Sequence, residues 1–127
     1  ADEFTITKEN DDLTVYEAKK DGQTVGYCVV NTEKGYGGDV KVMTGVDLDG
    51  KVTAIDILEH SETPGLGANS TKDEFKNRFK GKQTGIEVVK NSPKDNDIQA
   101  ISGATITSKA VTRAVNAAIE QMKEAAK

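Results

Sequence analysis

Along the first half of the chain apolar and polar residues alternate, and the spacing then turns helical. In DVKVMTGVDLDGKVTAIDIL, Val40, Val42, Val46 and Leu48 fall on one side of an extended backbone, with Lys41, Gly45 and Asp47 on the other. That period of two is the mark of a half-buried strand. The return run is apolar at Ile55 and Ile57 on one side and at Val52, Ala54 and Leu58 on the other. Apolar residues on both sides predict a strand inside a sheet covered, at least in part, on both faces. In LTVYEAKKDGQTVGYCVV, Asp21-Gly22 separates two runs rich in β-branched and aromatic residues, as Asp49-Gly50 does in the first stretch. Asp-Gly supplies the positive φ angles of a two-residue turn, so both stretches predict β-hairpins.

Two helices follow. Thr71 and Glu74 have capping-box spacing, Phe75 and Phe79 form an i,i+4 apolar pair, and Gly81 ends the pattern, giving a short helix over about residues 71–80. TGIEVVK is a further strand, with Ile86 and Val88 on one face. The final helix, from about Thr107, aligns Val111, Val115, Ala118, Ile119 and Met122 in one stripe, while Lys109, Arg113, Asn116 and Lys123 fall mostly away from it. Strands first, then helix, strand and helix, predict an α+β fold: an antiparallel sheet built from hairpins with packed helices. With no repeat, low-complexity tract or linker, residues 1–127 read as a single domain.

Composition narrows the function classes. At 127 residues and a net charge of −4 with the signs interspersed, the chain has no basic stripe and no aromatic platform, so nucleic acid is not an expected partner. No apolar run approaches the roughly 20 residues of a membrane span. Cys28, the lone cysteine, lies among strand residues with no cationic neighbour in sequence, so it is expected to pack rather than react. A Cys/His catalytic pair would need His60, the only histidine, and nothing in the sequence brings the two together. No Cys/His cluster suggests a metal site. GYGG at residues 35–38 is either a ligand loop or a flexible approach to a strand, and it lacks the following helix of a dinucleotide fingerprint.

Two other stretches offer chemistry. In HSETPGLGANS, Pro64 fixes φ while Gly65 and Gly67 permit tight turns and close backbone approach, so Glu62, Thr63 and the neighbouring amides form a polar, rigid loop. It is either a structural turn or a slot for a planar ligand. In AISGATITSKAVTRAV, Gly103 and Ala104 are small, and Ser102, Thr105, Thr107 and Ser108 crowd hydroxyls at the start of the last helix. Helix N-termini carry unpaired amides and a partial positive charge, and phosphate binds there readily. The hydroxyls are then either surplus helix caps or groups that hydrogen-bond, or are esterified by, a phosphate.

SGATITS and ETPGLGA, in that company and at similar spacing, resemble the FMN-binding domain of the Rnf electron-transport complex G subunit, which the C subunit of the sodium-translocating NADH:quinone reductase shares. The likeness spans about residues 10–120. It implies covalent FMN, joined through its phosphate to the Thr105 hydroxyl as a phosphodiester. Ser102, Gly103 and Ala104 would form the recognition motif, and Thr107 and Ser108 would cap the helix or solvate the phosphate. Lys109 would lie near the ring or phosphate, and Glu62, Thr63, Pro64, Gly65 and Leu66 would line the isoalloxazine pocket. The family's flavin transferase usually finds aspartate six residues before the acceptor threonine; here Gln99 stands, and the nearest upstream acid is Asp97.

The same resemblance implies an N-terminal membrane anchor outside this chain and an extracytoplasmic face for the soluble part. It also implies partner subunits in a membrane-bound, ion-translocating oxidoreductase complex. The domain would act as an electron carrier with no general acid or base, and no turnover, of its own. A flavin-binding sensory or regulatory ectodomain of the same fold is the alternative, and a domain that has lost its flavin a third.

Overall fold

A computed structural model describes residues 3–10, 13–35, 38–59, 73–89, 93–94, 96–100 and 105–125. Five strands, β1 (Glu3–Asn10), β2 (Leu13–Lys20), β3 (Gln23–Lys34), β4 (Asp39–Asp47) and β5 (Val52–Glu59), form an antiparallel sheet in chain order. A short helix, α1 (Asp73–Lys76), continues into a 3-10 turn at Asn77–Phe79. Strands β6 (Glu87–Val89) and β7 (Asp97–Gln99) pair parallel as a separate ribbon, and the long helix α2 (Thr105–Ala125) follows. The α+β class is as the sequence predicts.

The hairpins form where Asp-Gly stands, by different turns. Asp21 (φ 53°) and Gly22 (φ 80°) both take the left-handed region, which is the two-residue turn that lets β2 and β3 keep their natural twist. At the second hairpin only Gly50 does so, at φ 84°. Asp47 Oδ1 there accepts from the amides of Asp49 and Lys51, and the Gly50 amide bonds the Asp47 carbonyl. A carboxylate that caps its own loop opens the turn to residues 48–51. Leu48 therefore leaves the strand and is 55 % exposed, against the expectation that it shares the face of Val46.

One sheet face carries the core. Tyr27, Val29, Val40, Val42, Val46, Ile55 and Ile57 are buried there, with α2 lying across β3 and β4. Register shifts in the β4–β5 pair set Val52 opposite Val46, so Val52 joins that same buried side. Ala54 and Leu58 are exposed and β5 is an edge strand. The expectation of an interior strand covered on both faces is thus corrected: the bulge, not a second layer, accounts for the apolar residues in both phases.

From α2, Val111, Val115, Ala118, Ile119 and Met122 are buried as the stripe predicts, joined by Ala110 and Ala114. Small residues at Ala110, Ala114 and Ala118 let the helix axis come close to the sheet. Side-chain bonds tie the helix to the sheet and to the β6 segment. Asn31 Nδ2 donates to the Ala114 carbonyl (2.9 Å), and Arg113 meets Glu33 (3.0 Å) and the Lys34 carbonyl (2.9 Å). Asn116 accepts from the amides of Gly85 and Ile86 and donates to the Ile86 carbonyl.

Within the expected short helix the described residues make one α turn and then a 3-10 turn, and Gly81 (φ 78°) follows it. Phe75 and Phe79 meet edge to face at 5.3 Å, both buried. Thr71, the expected cap, lies outside the described residues.

Candidate functional site

Helix α2 begins at Thr105, about two residues before the expected start. Thr105 is thereby its first residue, at the end where amides lack intrahelical acceptors and the dipole is positive. No acidic side chain lies in the first turn to neutralise that charge. The Thr105 side chain is half-buried, next to Ile106, which is 52 % exposed. Lys109 is exposed and stands four residues on, over the same face of the helix as Thr105.

Thr107 and Ser108 are buried on the inner side of the first turn. They are helical residues, not the cap, because the helix starts two residues earlier than the spacing suggested. Thr105, Thr107, Ser108 and Lys109 are accordingly brought together by one helical turn, Thr105 and Lys109 to the outside and the other two inward. Ser102, Gly103 and Ala104 lie outside the described residues, as do Glu62, Thr63, Pro64, Gly65, Leu66 and His60.

The chain approaches Thr105 along β7. The Ala100 amide donates to the Val89 carbonyl (2.8 Å), continuing the β6–β7 ladder, and Arg78 Nη1 donates to the Gln99 carbonyl (2.7 Å). Arg78 also lies 5.7 Å from the Phe75 ring centre. Sequence reasoning singled out neither Arg78 nor Ile106. Arg78 acts through a backbone acceptor 21 residues away, which leaves no side-chain pattern to read. Ile106 was legible as an apolar residue off the helix's buried stripe.

The 105–108 turn fits a phosphate. Amides without intrahelical acceptors, absent acids, a lysine on the adjoining turn and an accessible hydroxyl are the donor set an esterified phosphate needs. Two of the clefts elsewhere border residues named above. One, of about 390 Å3, is bounded by Arg78, Lys82, Pro93, Lys94, Asp97 and Gln99. The other, of about 610 Å3, opens on the sheet face away from α2, over Cys28, Met43, Gly45 and Ala54, and contains none of the candidate residues. Cys28 there is half-buried, and burial pushes its thiol up, in keeping with a packing role. The GYGG stretch joins β3 to β4, where the Gly35 amide bonds the Gly38 carbonyl (2.8 Å). Among the described residues, no group of His, Cys, Asp and Glu could hold a metal ion, and no helix is long and apolar enough to cross a membrane.

Known proteins are similar to this chain in sequence and fold. The G subunit of the proton-translocating ferredoxin:NAD(+) oxidoreductase complex of Clostridium ljungdahlii is 46% identical over 123 residues, covering 96% of this chain and 65% of the relative. Its counterpart in the Na(+)-translocating complex of Acetobacterium woodii is 45% identical over 125 residues, covering 94% and 60%. The chain thus spans under two thirds of the length of these relatives. Among solved structures, NqrC of Shewanella oneidensis superposes with a TM-score of 0.75 at 24% identity, over 94% of this chain and 70% of that one. The C subunit of the Na(+)-translocating NADH-quinone reductase of Parabacteroides distasonis gives 0.73 at 30% identity, over 91% and 63%. Residues 35–120, more than half of the chain and including the whole approach to Thr105, match the model of the FMN-binding domain. By that match the chain belongs to the FMN-binding domain family.

Proposed function

We propose that this chain, as one domain over residues 1–127, is the FMN-carrying part of an electron-transfer subunit in a membrane-bound, ion-translocating oxidoreductase complex. We further propose that the flavin is covalent, through a phosphodiester to Thr105. The observation that carries the attachment is the position of Thr105: first residue of α2, half-buried, in a turn without acids. The complex is suggested by the two relatives, each the G subunit of a ferredoxin:NAD(+) oxidoreductase complex.

Thr105 Oγ1 would hold FMN through its phosphate as a phosphodiester, the phosphoryl group coming from an activated flavin donor whose other half leaves, and the hydroxyl proton would pass to solvent or to a base of the flavin transferase. The resulting phosphodiester keeps one negative charge, which the amides of the first turn and the dipole of a 21-residue helix stabilise. Lys109 adds a cation one turn on. Ser102, Gly103 and Ala104 present the hydroxyl to the transferase, and Glu62, Thr63, Pro64, Gly65 and Leu66 form the wall against the ring. When bound, FMN supplies the capacity to accept and release electrons one or two at a time, while the protein holds it and limits access. The domain then needs no acid or base of its own and has no turnover in isolation. A membrane anchor outside residues 1–127 and an extracytoplasmic face complete this reading.

Acid precipitation tests covalency. After co-expression with a flavin transferase, flavin absorbance is expected to stay with the pelleted polypeptide. Release of all colour to the supernatant would leave only noncovalent binding.

A further inference from the structure

We propose that Arg78 is a positioning residue for Thr105, bracing the strand that leads into it against the edge of the five-stranded sheet. The inference rests on the reading of Thr105 as the attachment residue. β7 is three residues long, and among the described residues its strand neighbour is β6. The Gln99 carbonyl is taken by Arg78 Nη1 at 2.7 Å, a bond in which the donor is charged.

Arg78 is itself well anchored. Its guanidinium lies 5.7 Å from the ring centre of the buried Phe75. Its turn closes on β5 by a reciprocal pair of backbone bonds, Gly81 N–H to the Val52 carbonyl (2.7 Å) and Val52 N–H to the Lys82 carbonyl (2.9 Å). Just before it in the chain, Lys76 Nζ meets Asp56 of β5 at 3.1 Å. A continuous set of contacts therefore runs from β5 through the α1 segment to Gln99. From Ala100, five residues lead to Thr105, a span of at most about 18 Å even when fully extended. Fixing residues 99 and 100 limits where the chain can stand on its way into α2, and so bears on the placing of Thr105 as that helix's first residue. Pre-ordering of this kind acts on the rate of a positioned reaction more than on encounter.

The test compares wild type, Arg78→Ala and Arg78→Lys as full chains, by two readouts. In hydrogen exchange without flavin, peptides over residues 97–105 of Arg78→Ala are expected to exchange about tenfold faster, with β2–β4 unchanged. With purified flavin transferase and a flavin dinucleotide, adduct formation followed by intact mass should show kcat falling about threefold to tenfold and KM for the chain unchanged. Arg78→Lys, which keeps the charge but loses the planar fork, should recover part of that rate. Wild-type exchange and wild-type kcat in Arg78→Ala overturn the proposal, as does a loss expressed in KM alone. If Arg78→Ala unfolds, Arg78→Lys with wild-type rate and exchange overturns it equally. Failure of the Thr105 reading looks different: wild type gains no adduct, or Thr105→Ala still gains one.

Discussion

Thr105 and its neighbours differ in what they offer chemistry. Thr105 combines a half-buried hydroxyl with the positive end of a helix, whereas Thr107 and Ser108 are inward and Ile106 is exposed and apolar. The crowding of hydroxyls was legible in the sequence, and the inward side of Thr107 and Ser108 follows from their place one turn before Val111 on the buried stripe; that the helix also takes in Thr105 was not legible. If the proposed attachment holds, Gln99 stands where the resemblance leads one to expect aspartate, six residues before Thr105. Gln99→Asp keeps the backbone carbonyl that Arg78 uses, and is predicted to speed flavin attachment in a time course of intact masses; an equal or slower rate would show that glutamine serves as well. Cys28 gives a prediction of opposite sign. Burial raises its thiol, so the neutral form is favoured in the folded chain. The stability linked to it is fully present below the ordinary thiol range, near pH ~8.5, and is lost as pH rises through the folded value. Alkylation by iodoacetamide at pH 7 should be much slower than in the urea-unfolded chain. Equal rates in the two states would contradict the packing role.

Elements with strong local signals were legible, and those set by pairing alone were not. Asp21-Gly22 and the 3.6-residue stripe of α2 state their structure in the sequence. β1, by contrast, is exposed along its whole length, with Phe4 and Ile6 on a face that no described element covers, so burial left no trace in its sequence. β7 is too short for any periodicity, and its parallel pairing with β6 depends on where α2 and the Asn116 clasp hold the ribbon. The layer between sheet and helix carries its own test. Thr44 Oγ1 is fully buried and makes no hydrogen bond among the described residues. An unpaired buried hydroxyl costs about 1–3 kcal/mol, so Thr44→Val should be neutral or stabilising in urea unfolding. Ile119→Ala, at a fully buried position of α2, should instead cost about 2–5 kcal/mol. A Thr44→Val loss as large as that of Ile119→Ala would mean the hydroxyl has a partner in solution.

At the largest scale the described residues form a sheet that supplies one side of the core and a helix, α2, that supplies the other and begins at Thr105. Asn31, Arg113 and Asn116 tie the middle of α2 to its neighbours, and Thr105 is half-buried at the helix's N-terminal end. The central claim is that Thr105, and no other hydroxyl, carries the flavin. Intact mass of the wild-type chain and of Thr105→Ala, each co-expressed with a flavin transferase, tests it most directly. The account predicts one FMN-sized addition on the wild type and none on the variant. An unmodified wild type, or a variant that still gains the mass, would contradict it.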